Sequence, residues 1–181
     1  MVPKYIFLTK GVGIHKEKLA SFEEALRMAG IASYNLVKVS SIFPPKCKLL
    51  SKEEGIEKLK KGSIVFCVLS ENATKEPKRL LSASCGLALP SDDENYGYIS
   101  EHHAYGQSEE ETGEYAEDLA AEMLATTLGV SIEDNLKYDE RRELWKMNKD
   151  IVNTTNITQS AYGDEKGNWT TVVSAAVMIL E

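Results

Sequence analysis

Apolar and polar residues change their spacing several times along the chain, and each change predicts an element. Residues 4–9, KYIFLT, read as a strand, and Gly11-Val12-Gly13 as a turn after it. From residue 15 onward, Leu19, Phe22, Ala25, Leu26 and Ala29 recur at helical spacing, so the pattern predicts an amphipathic helix over 15–29 with Gly30 as its stop. Ser33 to Ile42 is β-branched and aromatic enough for a strand, which Pro44-Pro45 ends. A short charged helix follows over 52–61, closed by Gly62.

The near-continuous apolar run 63–70, SIVFCVLS, predicts a buried strand, and 71–79 a polar surface loop. The segment LLSASCGLALP (80–90) reads as a strand whose small residues suit close packing, and YGYISEHHA (96–104) as another. Tyr115, Leu119, Met123 and Leu124 mark a second long helix over 107–128, with Ser108 and Glu111 spaced for a capping box. Residues 149–160 and 169–180 are β-rich around a GDEKGN turn, which predicts a hairpin. The charged stretch 131–148 reads as a surface helix or a loop. Grouped strands with two distant long helices favour an α+β layered domain over a regular βαβ series.

Composition narrows the possibilities. At 181 residues and 43% hydrophobic content the chain suits one domain with a sizeable core. A net charge of −7 makes it a poor candidate for nucleic-acid binding, which needs clustered Lys and Arg. No stretch approaches the roughly 20 apolar residues of a membrane span, and the N-terminal apolar run is too short for a signal peptide. Cys47, Cys67 and Cys85 are an odd number without CxxC spacing, so they read as reduced thiols of a cytoplasmic protein, with no metal site expected.

The segment NLVKVSSIFPPKC (35–47) carries the chemistry. Serine is a weak strand former, and a buried hydroxyl needs partners. Ser40-Ser41 can be a strand-end turn held by hydroxyls. It can also be a reactive step. If the backbone is held suitably, the Ser41 hydroxyl attacks the Ser40 carbonyl and the peptide becomes an ester through an oxyanion that needs a donor. Asn35 is a candidate donor if the strand bends enough. β-Elimination, tautomerisation and hydrolysis then leave a ketone, a pyruvoyl group, at position 41. Such a ketone does the work of pyridoxal phosphate, with the protein supplying orientation and electrostatics.

Residues 22–45, FEEALRMAGIASYNLVKVSSIFPP, resemble the archaeal type of pyruvoyl-dependent arginine decarboxylase, with its N-L-[IV]-[KR]-[IV]-S-S-I-x-P-P segment. The resemblance extends through 80–90 and 96–104 to the later helix and the C-terminal strand. It implies a four-layer αββα sandwich of the pyruvoyl-dependent decarboxylase type. It implies a single domain, 1–181, cut into residues 1–40 (beta chain) and 41–181 (alpha chain). The cut chains would form a trimer or a dimer of trimers, with sites between neighbouring subunits. The implied reaction is decarboxylation of L-arginine to agmatine.

Carried over by position, Ser40 supplies the cleaved carbonyl and Ser41 becomes the pyruvoyl group. Asn35 assists processing and orders the site, and Glu101 protonates the decarboxylated carbon. From the residues alone, Glu101 is equally a surface strand carboxylate. Glu23 would meet the substrate guanidinium where the family pattern carries the shorter Asp, an extra methylene that moves the pocket by about 1.5 Å. Leu26 resembles a pocket-lining position and also fits plain core. His102 and His103 point to opposite faces of a strand, so at most one can join Glu101. A different amino-acid substrate, or an unprocessed paralogue acting as a structural subunit, are the other readings.

Overall fold

The computed structural model describes residues 1–129 and 151–180; the charged stretch 131–148 lies outside them. Two sheets pack face to face. The first has five strands in the order β2-β5-β9-β1-β4: β1 (Tyr5–His15), β2 (Asn35–Lys38), β4 (Lys48–Leu50), β5 (Ile64–Thr74) and β9 (Trp169–Ile179). The second has four in the order β3-β7-β6-β8: β3 (Ile42–Phe43), β6 (Leu80–Pro90), β7 (Gly97–Tyr105) and β8 (Ile151–Tyr162). The helices are α1 (Lys18–Ala29), α2 (Lys52–Glu57) and α3 (Glu109–Thr127). None is long and apolar enough to cross a membrane.

Alternation along the strands divides the core. On β5, Val65, Cys67 and Leu69 point outward to a cluster with Ala25 and Ala29 of α1, while Val68 points inward. On β9, Val173, Ala175 and Val177 join the outer cluster, and Ala176 and Met178 the inner one. This two-residue period lets one strand serve two hydrophobic layers. On the far side Ala88 of β6 packs with Ala120, Ala121 and Leu124 of α3. Between the sheets small polar residues find main-chain partners. Ser174 donates to Ala83 O (2.8 Å), Ser70 to His102 O (2.7 Å) and Asn72 to Ala104 O (2.9 Å). Each bond satisfies a hydroxyl or amide that would otherwise be costly to bury.

The sequence expectations hold for the 80–90 and 96–104 strands and for the Ser108 capping box, where both reciprocal bonds are present. Three expectations are corrected. Gly11 and Gly13 are not in a turn but inside β1, where a Cβ would stand 2.1 Å from Ala25 O and Ser21 O respectively. Their signal is the close approach of α1, not chain reversal. Strand β5 runs on to Thr74 through residues expected in a loop, because Asn72 and Thr74 are buried. Strands β8 and β9 do not form a hairpin. β8 pairs with β6, and β9 with β1 and β5, so the intervening turn carries the chain from one sheet to the other.

Candidate active site

The expected strand 33–42 is broken where the chemistry was expected. β2 ends at Lys38 on the edge of the five-stranded sheet, and β3 begins at Ile42 on the edge of the four-stranded sheet. Val39, Ser40 and Ser41 therefore cross between the sheets. Packed sheets lie ~10 Å apart, and the four steps from Lys38 to Ile42 reach only about 14 Å when extended, so the crossing has little slack.

Main-chain hydrogen bonds pin it at both ends. Val39 N–H donates to Cys67 O on β5 (3.0 Å), and Ile99 N–H on β7 donates to Ser41 O (2.7 Å). Between these anchors, Ile42 N–H donates to Ser40 O (3.0 Å). That i+2 to i bond makes a γ-turn centred on Ser41. Ser41 is not among the described residues with positive φ, so the turn is of the inverse, unstrained kind. Beside it an apolar cleft of about 390 Å³ is lined by Val39, Ser40, Ile42, Pro44, Phe66 and Met178, among others.

Glu101 lies two residues beyond Ile99 on β7, about 6.6 Å along the strand and on the same face. It pairs with Cys85, whose side chain belongs to the inter-sheet core. Partial burial raises the Glu101 carboxyl above its ordinary pKa. Lys38 opposes the rise, Glu71 adds to it, and His103 opposes it. Of the two neighbouring histidines, His103 thus shares Glu101's surroundings. His102 lies on the other face, bonded to Gln107 (3.0 Å) and packed on Tyr115.

Lys38 and Glu71, which the sequence reading passed over, form an ion pair at 3.2 Å beside this carboxylate. Lys38 had a detectable signal, as the one charged residue in the motif. Glu71 was hidden by its assignment to a loop. Cys67 and Cys85 are buried, and desolvation pushes their thiols up to about 11 and about 12, so they behave as packing residues.

The remaining site residues stand elsewhere in the single chain. Asn35 begins β2, and its amide donates to Gly62 O at 2.9 Å. Five residues of near-extended chain, about 16 Å, separate it from Ser40. Glu23, on α1, accepts two contacts from Arg27: Nε at 3.0 Å and a terminal guanidinium nitrogen at 2.6 Å. The carboxylate therefore already has the geometry of a guanidinium acceptor. Next to it Phe22 lines a second cavity of about 450 Å³ with Lys18, Leu19, Glu71, Asn72 and Thr171. Leu26 packs against the core cluster beneath α1.

The sandwich is thus joined at its edge through a pinned serine pair, with a partly desolvated glutamate on the adjacent strand. The model of the pyruvoyl-dependent arginine decarboxylase family matches residues 5–181. The chain is 60% identical over 178 residues to a probable pyruvoyl-dependent arginine decarboxylase of Chlorobium limicola, covering 98% of both chains. It is 55% identical over 179 residues to pyruvoyl-dependent arginine decarboxylase 2 of Methanosarcina acetivorans, covering 99% of this chain and 98% of that one. A pyruvoyl-dependent arginine decarboxylase of Nitrosopumilus maritimus is 52% identical over 180 residues, with the same coverage. The chain belongs to the pyruvoyl-dependent arginine decarboxylase family.

Proposed function

We propose that the chain cuts itself between Ser40 and Ser41 and, with the pyruvoyl group so formed at position 41, decarboxylates L-arginine to agmatine and carbon dioxide. The observation that carries this reading is the serine pair itself. It occupies the pinned crossing between the sheets, with its scissile carbonyl turned onto an N–H and Glu101 on the adjoining strand.

The residues fit the group. The Ser41 hydroxyl reaches the preceding carbonyl carbon through a five-membered ring. Attack forms the Ser40 ester as the peptide C–N bond breaks and the hydroxyl proton ends on the Ser41 amine. Loss of the Ser41 Cα proton then expels the Ser40 carboxylate. Water releases ammonia from what remains, leaving residues 1–40 and a ketone-ended 41–181. Once present, the ketone binds a substrate amine covalently and serves as the electron sink when carbon dioxide leaves.

The protein supplies the rest. Glu101, whose pKa partial burial raises, is the proton donor to the substrate α-carbon in this reading. The cleft beside Ser40 offers the reacting end an apolar lining. Glu23 takes the guanidinium, displacing the exposed Arg27 side chain that it pairs with in the single chain. Asn35 orders the start of β2 through Gly62 O. Leu26 fixes the seat of α1 from beneath.

The four-layer αββα arrangement is supported by α1 on the outer face of one sheet and α3 on that of the other. Assembly as a trimer or a dimer of trimers, in the cytoplasm, completes the reading. In that assembly the sites would lie between neighbouring subunits, and Glu23 could be supplied from either. Carbon dioxide release from arginine, measured against histidine and aspartate, tests the substrate. Arginine should be turned over far faster than either, and equal or absent turnover of arginine would overturn the assignment.

A further inference from the structure

The processing step just described needs a donor for the oxyanion on Ser40 O. The side chain that the sequence offered for that task, Asn35, has its amide on Gly62 O, a strand length away. One group in the structure already donates to the reacting oxygen: the main-chain N–H of Ile42, at 3.0 Å. We propose that the backbone N–H of Ile42 is the oxyanion donor for self-cleavage, presented by the inverse γ-turn centred on Ser41.

Three features support the assignment. First, the turn fixes the donor relative to the scissile bond, because donor and acceptor are separated by Ser41 alone. A side-chain donor would have to be positioned from another element. Second, both flanks of the turn are anchored, by Val39 N–H on β5 and by Ser41 O on β7. The donor is therefore held beside the scissile carbonyl before the reaction. Third, the anchors belong to different sheets. The γ-turn lies between them and is held from both sides. As the carbonyl carbon becomes tetrahedral, negative charge gathers on an oxygen that already accepts this bond. A bond to an anionic acceptor is roughly twice as strong as one to a neutral carbonyl, so it stabilises the transition state more than the ground state. The sequence consequence is that position 42 must carry an N–H. Proline, allowed at 44 and 45, is excluded there.

This inference rests on the self-cleavage reading, and the two can fail separately. The test replaces Ile42 in the full-length precursor by its α-hydroxy acid analogue, which turns the 41–42 amide into an ester, removing the N–H and weakening Ser41 O as the acceptor of Ile99 N–H; the same replacement at Ile99, which removes the donor of that anchor and leaves the Ile42 N–H, is the control. Conversion to the two chains is followed by intact mass against time. The proposal expects cleavage between Ser40 and Ser41 slowed by ~10²-fold or more, the loss typical of an oxyanion donor. A rate within threefold of the unaltered chain would overturn it. If the unaltered chain itself does not cut, the self-cleavage reading fails instead.

Should the ester variant not fold, the crystal structure of the uncut Ser41→Ala precursor decides. Ile42 N within hydrogen-bonding distance of Ser40 O supports the proposal. A different donor on Ser40 O, the Asn35 amide included, overturns it.

Discussion

Gly13→Ala tests how the fold delivers function, because it acts on α1 and leaves every proposed site residue unchanged. A Cβ at position 13 would meet Ser21 O at 2.1 Å, Ala25 N at 2.5 Å and the Glu24 Cβ at 2.7 Å. Two of these atoms are backbone and cannot rotate aside. Ordinary contact begins at 3.4 Å, so α1 has to move away from β1 by about 1.3 Å, the difference between 3.4 and 2.1 Å. Overpacking of this kind costs about 1–3 kcal/mol, which for a chain of this length lowers Tm by roughly 3–9 °C. Glu23 rides on α1, and a shift of that size spoils a two-point contact with a guanidinium. Losing a charge-assisted hydrogen bond is worth about 1.5–3 kcal/mol, or roughly 10- to 100-fold in KM. The crossing residues are anchored through main-chain atoms of Cys67 on β5 and Ile99 on β7, not through α1 or β1, so cleavage and kcat should change little. Steady-state kinetics with arginine and thermal unfolding on one preparation read both effects. A KM within twofold of the unaltered protein alongside a lowered Tm would refute the role given to α1 and Glu23.

Glu101→Gln should still cleave but lose ~10²–10⁴-fold in kcat, since the amide has no acidic proton to deliver; an activity near the original would remove Glu101 from the chemistry. Because Glu101 must be protonated and its pKa is raised, kcat should persist above the ordinary carboxylate range and fall as pH rises through that raised value. Lys38→Met removes a cation that favours the anionic form, so the fall should move to higher pH. Glu71→Gln leaves Lys38 without its partner and should move the fall to lower pH; shifts in the same direction would contradict this electrostatic account. After cleavage the two chains should stay together without denaturant, because β1 pairs with β9 from Tyr5 to His15 and α1 is packed into the outer core. Native mass spectrometry that found residues 1–40 dissociated would contradict that pairing.

What was legible in the sequence follows from what kind of force fixes each feature. The later helix was readable because Ser108 and Glu111 form a local capping box that needs no tertiary partner. The strand 80–90 was readable from its run of small and apolar residues. Gly11 and Gly13 misled because a glycine pair marks both a turn and a close helix contact, and only the position of α1 separates the two. The β8–β9 turn misled similarly. Two strands around a short turn usually pair, but β9 is wanted at the centre of one sheet and β8 at the edge of the other. At the site, Ser40 and Ser41 were named from the motif and Glu101 from the resemblance of the 96–104 strand, and the structure bonds the crossing at Ser41 to β7, the strand that carries Glu101. Lys38–Glu71 and the Ile42 N–H were not visible. The first depends on parallel pairing of β2 with β5, and the second is a main-chain group that every residue but proline possesses.

The most direct measurement is the intact mass of the purified protein under denaturing conditions, repeated on Ser41→Ala. The unaltered protein should give two chains, 1–40 and 41–181, the larger one lighter by one ammonia than the same chain beginning with serine. Ser41→Ala should give one full-length chain without decarboxylase activity. A single uncut polypeptide that turns over arginine, or an alanine variant that cuts and works, would contradict the account.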